Sequence, residues 1–320
     1  MLAREIIQRV KQIQIRTGRQ VADVLAGEYV SVFKGTGVEF DEVRPYIPGD
    51  EVRTIDWNVS ARMGSPFVKR YVEERQLTLM LMTDISASQD FGSMTRSKRE
   101  ATAELCALLA LSAIRNDDKV GLVMFHGGIE QYIPPRKGQK HVLRVIREVL
   151  THGSEAHESA ASPPAWSGKF WSGRQRRPRD RRQETNISAA VEFLLQVAKR
   201  KTVCFVVSDF FDTPYLRAMR MANKKHDVIA VQVSDPRERE LPNVGLLSLR
   251  DPETGRVGLY DTGSASFRQR FSQLAQKRVD DMARQFRSCG IDYIPIDSAG
   301  SVVDPLVRFF RLRERRMWKM

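Results

Sequence analysis

Unbroken apolar runs, helical stripes and short alternating stretches follow one another along this chain, and each rhythm predicts a different element. From Leu77 to Met82 almost every side chain is apolar, the pattern of a strand buried on both faces in the middle of a parallel sheet. Thr202 to Asp209, an apolar run ending in an aspartate, Val228 to Val233 and Ile291 to Ile296 read the same way, and Lys119 to Phe125 gives a further strand. Helical spacing of apolar residues falls between them. It predicts helices over Thr95–Arg115 (Ala101, Leu105, Leu108, Leu109 and Leu111 inward), Gln139–Leu150, Thr185 to about Arg200, and Thr213–Lys225. Two more are predicted over Ser264–Ser288, with Phe267, Phe271, Leu274, Val279, Met282 and Phe286 as its apolar set, and over Val302–Leu312. Strand and helix in alternation imply an α/β fold with a doubly wound, mostly parallel sheet.

The ends of the chain add smaller parts. Leu2, Ile6, Val10 and Ile13 predict an amphipathic helix packed on the body of the protein. Gly27 to Trp57 carries alternating apolar, β-branched and aromatic residues punctuated by Gly and Pro, which predicts a small β-rich lobe. Pro48-Gly49 suits a turn in which the glycine takes a positive φ. Ile129–Ile133, reached through Gly127-Gly128, reads as an edge strand, and Val244–Tyr260 as a hairpin turning at Asp251–Gly255. The division expected is an N-terminal helix and β-rich region over 1–75, then a sheet domain over 76–320. That domain carries an irregular insertion at 151–183, rich in Ser, Pro, Gly and Arg, and the hairpin at 244–260.

Composition narrows the function classes. The 320 residues are 42% hydrophobic, enough for a sizeable core, and no run of eighteen apolar residues marks a membrane span. The N-terminus lacks the features of a secretory signal. Three cysteines, Cys106, Cys204 and Cys289, sit far apart in apolar surroundings, which suits a reducing cytoplasm better than a disulfide framework. The net charge of +13 admits nucleic acid, an anionic surface or an acidic protein as partner. Segments 151–183 and 301–320 each carry +4, without the aromatic interleaving of a nucleic-acid module. That pattern argues against nucleic acid, and each segment reads first as a solvated basic stretch that could also steer an acidic protein partner; the chain is expected to be cytoplasmic or peripheral to the inner membrane.

Candidate chemistry gathers behind the apolar runs. Asp84, Ser86 and Ser88 follow the first, at alternate positions, and Asp209 ends the second. Loops at the carboxyl ends of central strands are where open α/β sheets bind ligands. Small oxygen-bearing side chains there suit a hard cation such as Mg²⁺, with Mn²⁺ or Ca²⁺ as alternatives, although Asp and Ser after a strand also serve as caps and turns. Asp-x-Ser-x-Ser resembles the metal-ion-dependent adhesion site of von Willebrand factor A domains. That resemblance implies a metal set of Asp84, Ser86, Ser88, Thr185 and Asp209, with Gln183 and Glu184 departing from the small residues usual before the threonine.

The charged residues Arg44, Asp50, Arg53 and Asp56, beside Trp57, are spaced for a local ion-pair network of structural rather than catalytic use. They stand within Gly37-x-Glu-Phe-Asp-x-x-Arg-x-Tyr-x-Pro-Gly-Asp50 and the Arg53-Thr-Ile-Asp-Trp57 after it. With Ser60-Ala-Arg62, Val68–Arg75 and the Asp84 loop, these motifs resemble domain-of-unknown-function family fifty-eight. The resemblance implies a von Willebrand factor A-like domain and a MoxR-type AAA+ ATPase as partner. The expected function is a non-enzymatic, metal-dependent adaptor that recruits substrates to that ATPase, an acidic protein ligand completing the metal site. A metal-dependent hydrolase or phosphatase and a basic nucleic-acid or anionic-surface binder are the alternatives. Ser86 replaces the second carboxylate a phosphatase of this pattern needs, no P-loop is present, and the five histidines are scattered.

Overall fold

A computed structural model of the chain describes residues 37–74, 77–94, 96–151, 185–211, 214–251 and 256–317. The helix expected from Leu2 and nearly all of the 151–183 insertion, with Trp166, Phe170 and Trp171, lie outside the described residues. The first described unit pairs strands β1 (Gly37–Pro45) and β2 (Phe67–Glu74) antiparallel, with a bulge between Phe40 and Glu42. Between them the predicted turn forms, Asp50 N–H donating to Ile47 O at 3.0 Å and Gly49 taking a φ of 113°. Helix α1 (Trp57–Met63) follows, where only strands and turns were expected. Asp56 starts it by accepting from the Asn58 and Val59 amides.

The apolar runs form one six-stranded sheet. β3 (Thr78–Asp84), β4 (Lys119–Phe125), β6 (Val203–Ser208), β7 (Asp227–Ser234) and β10 (Asp292–Asp297) are parallel, and β5 (Ile129–Arg136) closes one edge antiparallel. Period-two alternation divides each strand between two cores. Leu79 and Leu81 face one way, with helices α2 (Lys98–Arg115), α3 (Gln139–Thr151) and α7 (Val303–Met317) packed over them. Met80 and Met82 face the other way, towards α4 (Ile187–Val197), α5 (Leu216–Lys225) and α6 (Ala265–Ser288). The sheet is thus a mixed α/β layer covered on both faces. The hairpin of β8 (Leu246–Arg250) and β9 (Val257–Asp261) stands apart from it as a two-stranded sheet.

Strand order across the sheet is β10-β7-β6-β3-β4-β5. The chain steps outward from β3 through β4 and β5, then resumes on the other side of β3 with β6, β7 and β10. The order therefore reverses between β3 and β6, and the crevice beyond their carboxyl ends is the place where such sheets accept ligands.

Two helix expectations need correction. Helix α2 begins at Lys98 rather than Thr95, because Ser97 and Glu100 form a complete capping box. In α6 the residues that meet the core are Ala275, Met282 and Phe286, while Leu274 is 63% exposed. It lies one position off that stripe, about 100° further round the helix. All three cysteines are free, Cys106 and Cys204 buried and Cys289 partly so.

Candidate functional site

Four of the five residues singled out as metal ligands meet in that crevice. Asp84 is the last residue of β3 and is buried; Ser86 N–H donates to its Oδ1 at 2.9 Å. The Ser86 and Ser88 hydroxyls lie 2.9 Å apart, and Ser88 Oγ donates to Asp209 Oδ2 at 2.8 Å. One chain of hydrogen bonds therefore links the loop after β3 to the residue after β6, its Ser88–Asp209 step crossing 121 positions of sequence. Thr185, also buried, precedes Asn186, the cap of α4. Asn186 N–H donates to His126 O at 2.7 Å, just past the end of β4, so Thr185 flanks the crevice on the β4 side.

Several residues that the sequence reading passed over complete the site. Ser208 Oγ donates to Asp84 Oδ2 at 2.6 Å and accepts from the Phe210 amide at 3.2 Å. Phe210 itself has a φ of 56°, a left-handed conformation uncommon for a bulky residue. It is held there by burial against Tyr215 and Phe286, at ring distances of 5.3 and 5.2 Å. This turn sets the direction in which the chain leaves Asp209. Lys98, the first residue of α2, is completely buried, with Nζ 2.8 Å from Asp209 Oδ2 and 2.7 Å from Glu238 Oε1. Glu238 belongs to a short 3-10 turn after β7, Pro236–Glu238, capped by Asp235. Asp235 Oδ2 accepts from the Ser93 amide at 2.8 Å, which ties that turn to the loop following Ser88. At the rim Phe211 is partly exposed, and the Arg278 guanidinium stacks on its ring at 3.8 Å.

The electrostatics of the two aspartates differ. Burial, then the neighbouring Asp209 carboxylate, pushes the Asp84 carboxyl up to about 6 in spite of its hydrogen bonds from Ser208 and Ser86. Among the described residues no lysine, arginine or histidine forms an ion pair with Asp84. Asp209 by contrast has Lys98 as its counter-ion. Burial works against the charge of that ammonium, yet Asp209 and Glu238 together raise its pKa. The donors around Asp84 are carboxylate and hydroxyl oxygens, and no group of three or more His, Cys, Asp or Glu placed to hold a metal ion is present among the described residues. Such a donor set suits a hard cation rather than zinc or copper.

The family model described as "Protein of unknown function DUF58" matches residues 42–281. The chain belongs to the DUF58 family. The "Uncharacterized protein Rv1480" of Mycobacterium tuberculosis is 28% identical over 307 residues, which span 96% of this chain and 89% of that protein. The "Uncharacterized protein YeaD" of Bacillus subtilis is 29% identical over 121 residues, 38% of this chain and 27% of that one. Among solved structures, the conserved hypothetical protein BatB from Bacteroides thetaiotaomicron aligns over 75% of this chain and 99% of its own. That alignment has 16% identity and a TM-score of 0.43.

Of the motifs that carry the DUF58 resemblance, the Asp84 loop lies in the hydrogen-bonded crevice set, while Arg44, Asp50, Arg53, Asp56 and Trp57 do not. Arg44 grips Asp50 with both guanidinium nitrogens, at 2.7 and 2.8 Å, and this bond above all holds the Asp50 carboxyl below the usual range. Asp56 pairs with Lys69 at 3.2 Å. The single network expected from sequence is thus two separate pairs. Arg53, exposed, joins neither among the described residues, and Trp57 is 68% exposed.

Proposed function

We propose that this DUF58 chain is a divalent-cation-dependent protein-interaction module with a von Willebrand factor A-like, doubly wound domain. In this reading it is not an enzyme but the adaptor or substrate-recruiting partner of a MoxR-type AAA+ ATPase, which supplies the ATP hydrolysis. The observation that carries the reading is the hydrogen-bonded set Asp84, Ser86, Ser88 and Asp209 at the reversal of strand order. A buried carboxylate with no cationic partner among the described residues, beside a second carboxylate, is a costly arrangement that a bound cation relieves. Asp84 and Asp209, with the hydroxyls of Ser86, Ser88 and Thr185, would hold Mg²⁺, or Mn²⁺ or Ca²⁺ in its place. Two carboxylates leave the ion under-supplied with negative charge, and a carboxylate from an acidic protein completes the set. Arg278 and Phe211 at the rim suit the approach of such a ligand.

The test is capture of the AAA+ ATPase encoded beside this protein, with and without Mg²⁺, by wild type and Asp84→Ala. Capture that needs Mg²⁺ and is lost in the variant, while its circular dichroism stays native, is the expected result. Capture indifferent to both changes contradicts the reading.

A further inference from the structure

Lys98 is in the wrong place for an ordinary lysine. It is completely buried, and burial of an ammonium is costly. It also opens helix α2, where the helix dipole disfavours a positive charge. The helix start does not require it, because the capping box of Ser97 and Glu100 satisfies that end. Two unfavourable placements in one residue mark a side chain kept for something other than local structure.

Its surroundings say what that is. The ammonium rests between Asp209 Oδ2 and Glu238 Oε1, at 2.8 and 2.7 Å, with the Phe211 ring 5.7 Å away. The Asp209 oxygen that takes the Lys98 charge is the same one that accepts the Ser88 hydroxyl, 2.8 Å away. Asp84, the other carboxylate of the crevice, has no such counter-ion among the described residues. The crevice is therefore charged asymmetrically: one aspartate is neutralised from within the fold and the other is not. A divalent ion drawn to both carboxylates shares Asp209 with Lys98 and is repelled by it.

We propose that Lys98 is a built-in competing cation, which takes up the charge of Asp209 and so weakens the crevice for divalent ions. The inference rests on the reading of the crevice as a cation site. It raises the ion concentration at which the crevice fills, relative to an uncompensated pair of aspartates. It also gives the ion-free protein a stable form, since Asp209 and Glu238 keep a counter-ion when no metal is present.

The experiment measures Mn²⁺ binding by the full chain from the electron paramagnetic resonance signal of free Mn²⁺, with Mg²⁺ as competitor. Wild type is compared with Lys98→Met and with Lys98→Gln, which keeps a hydrogen-bonding group but no charge. Both variants should bind Mn²⁺ tighter by roughly tenfold or more, as expected when a unit positive charge within a few ångströms is removed. The rise in Tm on adding Mg²⁺ should be larger in the variants than in wild type. If Lys98→Met fails to fold even in Mg²⁺, Lys98→Gln alone decides. Unchanged or weaker Mn²⁺ affinity overturns the proposal while leaving the cation site standing, and a purely structural lysine gives that result with a lowered Tm. Absence of Mn²⁺ binding in wild type and both variants overturns the proposal and the cation reading together.

Discussion

The Arg44–Asp50 pair and the Lys98–Asp209 pair are both short ion pairs, 2.7 and 2.8 Å, yet they have opposite settings. The first joins the end of β1 to the turn that follows it, with its side chains 34% and 21% exposed, and it fastens that turn. The second is closed off from water beneath the crevice. Solvent takes back most of what the first pair gains, and salt screens the rest. In the second pair no water replaces a lost partner, so each charge depends on the other. The pair at the signature turn thus holds local geometry, and the pair beneath the crevice carries the unusual electrostatics.

Substitutions on the two sides should separate by size. Asp209→Ala removes a counter-ion of a buried lysine and should lower stability by about 3–5 kcal/mol, read from urea unfolding in EDTA. A loss no greater than that of a surface substitution would mean that water reaches Lys98. Asp84→Asn should act with the opposite sign in the absence of metal. The folded-state carboxyl titrates at about 6 against an ordinary 3.8, so its ionisation opposes folding. The variant should gain about 1–3 kcal/mol above pH 6. That gain should shrink as pH falls through the window and vanish below about pH 4, where the wild-type carboxyl is protonated in both states. Ser97→Ala, which removes the cap of α2, should cost about 1 kcal/mol. Arg44→Ala should give the smallest change in Tm of the four, and molar salt should erase it; a large, salt-independent loss would put the surface pair in the same class as the buried one.

How far the sequence carries this picture depends on the kind of interaction. Burial of hydrophobic strands is written into composition, so β3, β6 and β7 are legible as apolar runs, and their ends locate Asp84 and Asp209. Local turn chemistry is legible too, as Gly49 shows. Pairings across distant segments are not. Nothing near Lys98 in sequence distinguishes it from a solvated lysine at a helix start, because its partners are 111 and 140 residues away. Phe210 gives no sign of a positive φ, since bulky residues rarely adopt one, and aromatic packing from α6 and the segment before α5 is what holds it. The network expected from Arg44, Asp50, Arg53 and Asp56 divided because Asp56 became a helix cap, a use that depends on where α1 starts. Hydrophobicity alone places Leu274 in the apolar set of α6, but the buried stripe of Ala275, Met282 and Phe286 leaves it outside.

The cation site is the claim on which the rest depends, and Mg²⁺ binding by wild type and Asp84→Asn, measured calorimetrically on the full chain at pH 7.5, tests it most directly. The account requires one saturable ion per chain in wild type and none in the variant, with both proteins folded. No heat of binding in wild type, or equal binding in the two, would contradict it.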